Sequence, residues 1–154
     1  MTEIAEGAPA PEFDLETEDG RIRSADLRGR TVVLYFYPKD DTSGCTREAQ
    51  DFTALAAEFE AARTTVIGVS KDSVASHRRF ASKYALSVRL ASDLDGSVVE
   101  AFGVWVEKSM YGRKYMGIDR STFLIDGEGV VRRAWRKVKV PGHAEEVLAA
   151  ARAL

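Results

Sequence analysis

The sequence predicts an α/β fold with a central mixed β-sheet flanked by helices on both faces, and three observations carry that expectation. An apolar run rich in β-branched and aromatic residues, Thr31 to Tyr37, is followed by helix-spaced apolar residues and then by a second apolar run, Thr64 to Ser70. This order is a β-α-β unit, which places its two strands parallel. Near the end, Ser121 to Asp126 and Val130 to Arg136 flank a Gly127-Glu128-Gly129 turn, so a hairpin joins the sheet before a closing helix. A length of 154 residues fits one domain, 1–154, with a full core.

Met1 to Pro11 reads as an extended lead, because Pro9 and Pro11 disfavour helix around them. Phe13-Asp14-Leu15 alternates as a short strand, and Asp19-Gly20 turns the chain back through Arg21-Ile22-Arg23, giving an N-terminal β-hairpin. Ser24 to Leu27 forms one helical turn before the central strand, which Pro38 ends because it cannot donate to a ladder. Asp40 to Gly44 make a polar loop. Beyond it, Ala49, Phe52, Leu55, Ala56, Phe59 and Ala62 have the spacing of one helix.

After the second strand, Asp72 or Ser73 can cap a helix whose apolar face includes Val74, Phe80, Ala81 and Tyr84. His77, beside Arg78 and Arg79, is expected to be exposed. Ser87 to Ala91 is a short strand, Asp93 to Gly96 a turn, and Ser97 to Phe102 a short helix. Gly103 to Asp119 mixes glycines with aromatics and reads as a loop or ribbon. Trp105, Tyr111 and Tyr115 there serve ordinary packing in preference to forming a lid. Pro141-Gly142 breaks the chain, His143 starts the last helix, and Val147, Leu148, Ala151 and Leu154 are its buried face.

Composition narrows the function classes. Charged residues make up 30% and hydrophobic ones 45%, and the net charge is −2. So small a charge argues against nucleic acid or an anionic membrane surface as principal partner. The N-terminus lacks a basic segment followed by an apolar one, and no stretch approaches the ~20 apolar residues of a membrane span. A single cysteine excludes an internal disulfide and a multi-cysteine metal site, and points to a reducing, cytoplasmic setting. The two histidines form no metal-ligand cluster, and no phosphate loop or serine elbow is present.

That cysteine, Cys45, falls in the first turn of the helix that follows the central strand. There it faces unpartnered backbone N–H groups and the positive end of the helix dipole, both of which favour thiolate over thiol. A free cysteine is most often a small buried hydrophobe. Its neighbours Thr42, Ser43, Gly44, Thr46 and Arg47 are polar, which favours the reactive reading.

The residues Pro38-x-x-x-Thr42-x-x-Cys45 match the active-site pattern of the peroxiredoxins. The longer run Phe36-Tyr37-Pro38-Lys39 to Thr42-x-Gly44-Cys45-Thr46-x-Glu48 resembles the bacterioferritin-comigratory-protein (Q-type) subfamily. Arg120 to Asp126 is similar to that family's second signature, whose arginine reaches the active site; Ser92-Asp93 and Ala101 to Val104 also fit. The resemblance covers nearly the whole chain. It implies a thioredoxin-like fold, a thiol peroxidase without a cofactor, and a monomer in preference to an oligomer. Two positions depart from the pattern. Ser43 stands where proline is usual, and Gln50 stands where many members keep a resolving cysteine. The chain thus looks like a one-cysteine member, with an external reductant: thioredoxin, a glutaredoxin-like protein or a low-molecular-weight thiol.

Ionisation of the thiol alone gains little. A thiol of pKa about 8.5 is roughly 3% ionised at pH 7, so full ionisation accelerates attack by at most about thirtyfold. The site must therefore also hold charge on the departing oxygen. The roles expected are nucleophile for Cys45, peroxide binding for the Thr42 hydroxyl and the N–H groups of Gly44 and Cys45, and donation to sulfur and peroxide by Arg120. Pro38 shields the sulfur. Glu48 either orients Arg120 or only complements the helix dipole. The rival readings are a thiol–disulfide oxidoreductase, weakened by the lack of a C-x-x-C pair, and a redox sensor acting through a mixed disulfide.

Overall fold

A computed structural model describes residues 4–154, so the first three positions of the N-terminal lead lie outside the described residues. Seven strands form one mixed sheet in the order β2-β1-β5-β4-β3-β8-β9. At its centre β3 (Thr31–Phe36) runs parallel to β4 (Thr64–Ser70), which runs parallel to β5 (Arg89–Ser92). On the other side β3 pairs antiparallel with β8 (Ser121–Ile125), and β8 with β9 (Val131–Trp135). The N-terminal hairpin, β1 (Asp14–Thr17) and β2 (Gly20–Arg23), is an integral edge, since β1 pairs with β5. A separate two-stranded ribbon, β6 (Trp105–Met110) and β7 (Arg113–Ile118), fills the stretch read as loop or ribbon.

The pleat of β3 sorts the core. Val32, Leu34 and Phe36 face one side with Phe13, Ile67, Val69, Phe102 and Phe123, and Val33, Tyr35 and Tyr37 face the other with Phe52, Phe59, Phe80, Val147 and Leu148. Four helices lie on that second side: α1 (Ser43–Ala54), α2 (Ala56–Ala61), α3 (Val74–Tyr84) and α5 (His143–Arg152). The first side is closed by α4 (Ser97–Ala101), the ribbon's Trp105 and Ile118, and the Ser24–Leu27 turn, which is a 3-10 helix. Tyr35 stacks on Phe52 at 4.7 Å, and a Cβ at Gly68 would stand 2.6 Å from its ring, so only glycine admits the tyrosine there.

Three details depart from the sequence reading. The expected single helix after Cys45 breaks at Leu55 into α1 and α2, with neither Gly nor Pro at the break to signal it. Leu154 lies beyond the end of α5 and is 47% exposed, so the terminal turn does not bury it. His77 is buried, at 2% exposure. Its spacing with Phe80 and Tyr84 sets it on the core stripe of α3, and that periodicity outweighs its charged neighbours. Ser73, one of two possible caps, is the residue that accepts the Ser76 N–H. Among the described residues no helix is long and apolar enough to cross a membrane.

Candidate active site

The topology gathers the site at the end of β3. Beyond Phe36 the chain runs out of the sheet through Tyr37 and Pro38 and enters α1 at Ser43. Because β8 is antiparallel to β3, with Phe36 opposite Ser121, the residue before Ser121 lies at the same end of the sheet. That residue is Arg120. Seventy-five positions after Cys45, it donates from Nη2 to the sulfur at 3.3 Å and from Nη1 to Glu48 Oε1 at 2.7 Å.

Cys45 sits in the first turn of α1 and is 2% exposed. The burial expected of an ordinary core cysteine is therefore met, but its sulfur meets a guanidinium as well as hydrocarbon. Gly44 leaves room for this approach: a Cβ there would stand 3.1 Å from Arg120 Nη2 and push it back by a few tenths of an ångström. Thr42 is the extended residue that starts α1, yet it makes no side-chain cap. Its hydroxyl donates to the Lys39 carbonyl at 2.8 Å, leaving its lone pairs turned outward. The first N–H groups of a helix have no intrahelical partner, and no side chain caps those of α1. Pro38 is exposed at the strand's end, and Gln50 is exposed on α1 while Cys45 is buried. Five residues is about 140° around a helix, so a thiol at position 50 would face away from the sulfur.

Glu48 is one turn below Cys45 and 1% exposed. Burial pushes its carboxyl up to about 7, against the pull of Arg120, and Oε2 has no hydrogen-bond partner among the described residues. Burial alone would depress Arg120, but Glu48 and the sulfur hold its guanidinium above its ordinary range. One guanidinium thus serves two buried groups that can each be anionic. Glu48 lies past the first turn of α1, where the dipole acts, and its observed contact is the hydrogen bond from Arg120.

Residues that the sequence reading passed over hold the loop. Asp40, expected in a polar loop, is buried and accepts from Tyr37 Oη at 2.6 Å and Ser76 Oγ at 2.7 Å, with His77 Nδ1 at 2.8 Å. Lys108 on β6 is half-buried within electrostatic reach of Asp119, Arg120 and Cys45, and burial depresses its amine. His143 begins α5 as expected; it is buried against Thr122, 2.8 Å from the hydroxyl, and burial lowers its proton affinity. Tyr111 and Tyr115 are surface residues of the ribbon, and Trp105 packs against the core.

Residues 7–134 match the model of the AhpC/TSA family. A putative peroxiredoxin bcp of Coxiella burnetii is 51% identical over 146 residues, covering 94% of this chain and 97% of that protein. The chain belongs to the AhpC/TSA family and is a peroxiredoxin. A solved cysteine-to-serine mutant of Xylella fastidiosa PrxQ superposes with a TM-score of 0.93 at 40% identity, covering 99% and 98% of the two chains. The bacterioferritin comigratory protein of Xanthomonas campestris, studied for its alkyl peroxide reduction activity, superposes with a TM-score of 0.87 at 48% identity over 92% and 90%. The peroxiredoxin is therefore a thiol-dependent peroxidase with a thioredoxin-like fold, as the sequence motifs implied.

Proposed function

We propose that Cys45 is the peroxidatic nucleophile of this peroxiredoxin, and that hydrogen peroxide and organic hydroperoxides are its substrates. The observation that carries this reading is the guanidinium of Arg120, which touches both the sulfur and Glu48. A donor that is cationic and fixed at two points favours anionic sulfur and is already aimed when charge builds on oxygen. Cys45 thiolate attacks the nearer peroxide oxygen and the O–O bond breaks. Sulfenic acid forms, and the departing alkoxide or hydroxide takes a proton to leave as alcohol or water.

The Thr42 hydroxyl donates its hydrogen bond to the Lys39 carbonyl, so its oxygen accepts the peroxide O–H. That interaction aims the other oxygen at the N–H groups of Gly44 and Cys45 and at Arg120. Pro38 limits the entrance by its shape. Glu48 keeps Arg120 in register.

Gln50 leaves the sulfenic acid without a resolving cysteine. An external thiol displaces water from it to give a mixed disulfide; a second reductant thiol then attacks the reductant's sulfur, so Cys45 leaves as thiolate and the two reductant thiols are joined as a disulfide. The reductant is thioredoxin, a glutaredoxin-like protein or a low-molecular-weight thiol, and the setting is cytoplasmic, with the protein acting as a monomer. The lone cysteine also supports a second reading, a redox sensor that passes its oxidation to a client as a mixed disulfide.

Peroxide consumption with excess dithiothreitol separates the two. Many turnovers, abolished by Cys45→Ser, support the peroxidase cycle; one stoichiometric oxidation supports the sensor. Activity surviving Cys45→Ser overturns both. With reductant withheld and peroxide in excess, mass spectrometry is expected to find two added oxygens at Cys45, the sulfinic acid.

A further inference from the structure

We propose that His77 is a positioning residue for peroxide reduction: a buried imidazolium that clamps Asp40, and through it the loop leading to Thr42 and the first turn of α1. The inference rests on the reading of that turn as the peroxide site.

Both ring nitrogens face acceptors. Nδ1 lies 2.8 Å from Asp40 Oδ2, and Nε2 lies 3.0 Å from the carbonyl of Ala91 on β5. A neutral imidazole has one N–H and would have to set a lone pair against one of these oxygens while buried. The nearby Tyr37 hydroxyl, 3.4 Å from Nδ1, does not relieve the conflict, because it points its proton at Asp40 Oδ1, 2.6 Å away. Asp40 is the counter-ion. Burial works against its charge, but the hydrogen bonds from His77, Tyr37 and Ser76 outweigh burial and hold the carboxyl below its ordinary range.

The clamp acts at the correct place. Asp40 is two residues before Thr42, and its own N–H donates to Asp72 Oδ2 at 2.9 Å, which also takes Ser70 Oγ at 2.7 Å. Asp41, between Asp40 and Thr42, has φ of +59° and is gripped by Tyr84 Oη at 2.5 Å and Lys83 Nζ at 2.9 Å. Helix α3 therefore braces both residues before Thr42. The Lys83 pair is solvent-exposed and weak by nature, whereas the His77 pair is desolvated, so its loss strands a buried carboxylate. In the unclamped loop, the Thr42 hydroxyl and the N–H groups that follow lose their fixed aim.

The test has a spectroscopic and a kinetic arm. The protein has two histidines, so ¹⁵N spectra of the ring nitrogens are readily assigned with a His77 variant. At pH 7 both His77 nitrogens are expected to carry hydrogen; a bare nitrogen overturns the inference, whatever the enzyme's activity. In the kinetic arm, Cys45 oxidation by hydrogen peroxide is followed in His77→Asn, His77→Gln and His77→Leu, with folding checked by thermal unfolding. Asparagine keeps a donor at the Nδ1 position, toward Asp40; glutamine keeps one at the Nε2 position, toward Ala91. The Leu and Gln variants are expected to be at least tenfold slower than the parent, and Asn to recover most of the rate. Equal rates in folded Asn and Gln variants overturn the inference. A parent protein that peroxide does not oxidise fails the peroxidase reading instead.

Discussion

Glu48 offers a test of the electrostatics beneath the sulfur that does not depend on catalysis. Its carboxyl is raised from 4.5 to about 7 because burial strips water from it faster than Arg120 repays the loss. Below pH 4.5 the group is neutral whether the chain is folded or not, and adds nothing to the pH dependence. Above 7 it is charged in both states, and the folded protein bears the desolvation. Between these limits the folded state binds more protons than the unfolded, so stability falls as pH rises. A carboxyl raised from 4.5 to about 7 corresponds to about 3 kcal/mol at the alkaline limit and about 2.5 kcal/mol between pH 5 and 8.

The perturbation is Glu48→Gln, made in a Cys45→Ser background so that thiol chemistry does not intrude. Urea unfolding followed by the fluorescence of the two tryptophans gives stability at both pH values for both proteins. The protein retaining Glu48 is expected to lose about 2.5 kcal/mol more than the glutamine variant on going from pH 5 to pH 8. Titrations elsewhere cancel in that double difference. A value near zero refutes the reasoning; the opposite sign shows that the attraction of Arg120 outweighs burial.

Two further substitutions probe the same region. At Gly44 a Cβ would crowd Arg120 Nη2 at 3.1 Å. The guanidinium must then yield by a few tenths of an ångström, and since about 1 Å of misplacement costs about a hundredfold, Gly44→Ala is expected to slow Cys45 oxidation by about two- to fivefold in rapid-mixing kinetics. The hydroxyl of Tyr35 is buried over Gly68 with no hydrogen-bond partner among the described residues. Removing it in Tyr35→Phe is expected to be neutral or to stabilise the fold by up to about 1 kcal/mol, read from the urea midpoint, with a clear loss of stability counting against an unpartnered hydroxyl.

The architecture was largely legible because its signals are local and redundant. The β-branched run at Thr31, the turn residues at Asp19-Gly20 and the broken pattern after Pro141 each specify an element without help from the rest of the chain. Arg120 is a different case. Nothing near it in sequence links it to Cys45; the link is the antiparallel pairing of β8 with β3, and the family motif anticipated the outcome of that pairing without the geometry.

What escaped the sequence is what burial and hydrogen bonding decide at long range. The charged neighbours of His77 suggest exposure, whereas its three- and seven-residue spacing to Phe80 and Tyr84 points inward. Asp40 reads as a loop carboxylate because two of its three side-chain partners lie 36 and 37 residues away. Thr42 occupies the N-cap position of α1 and is a residue type that caps helices, but its hydroxyl is drawn to the Lys39 carbonyl instead. The break at Leu55 has no local breaker residue at all.

The most direct test of the central claim is the rate at which hydrogen peroxide oxidises Cys45 in the parent protein and in Arg120→Ala, by stopped-flow tryptophan fluorescence at neutral pH. A guanidinium 3.3 Å from the sulfur is expected to account for at least tenfold, and on the order of a hundredfold, of that rate, with folding checked by thermal unfolding because the substitution also strands the buried Glu48 carboxyl. Unchanged kinetics in a folded Arg120→Ala protein would contradict it.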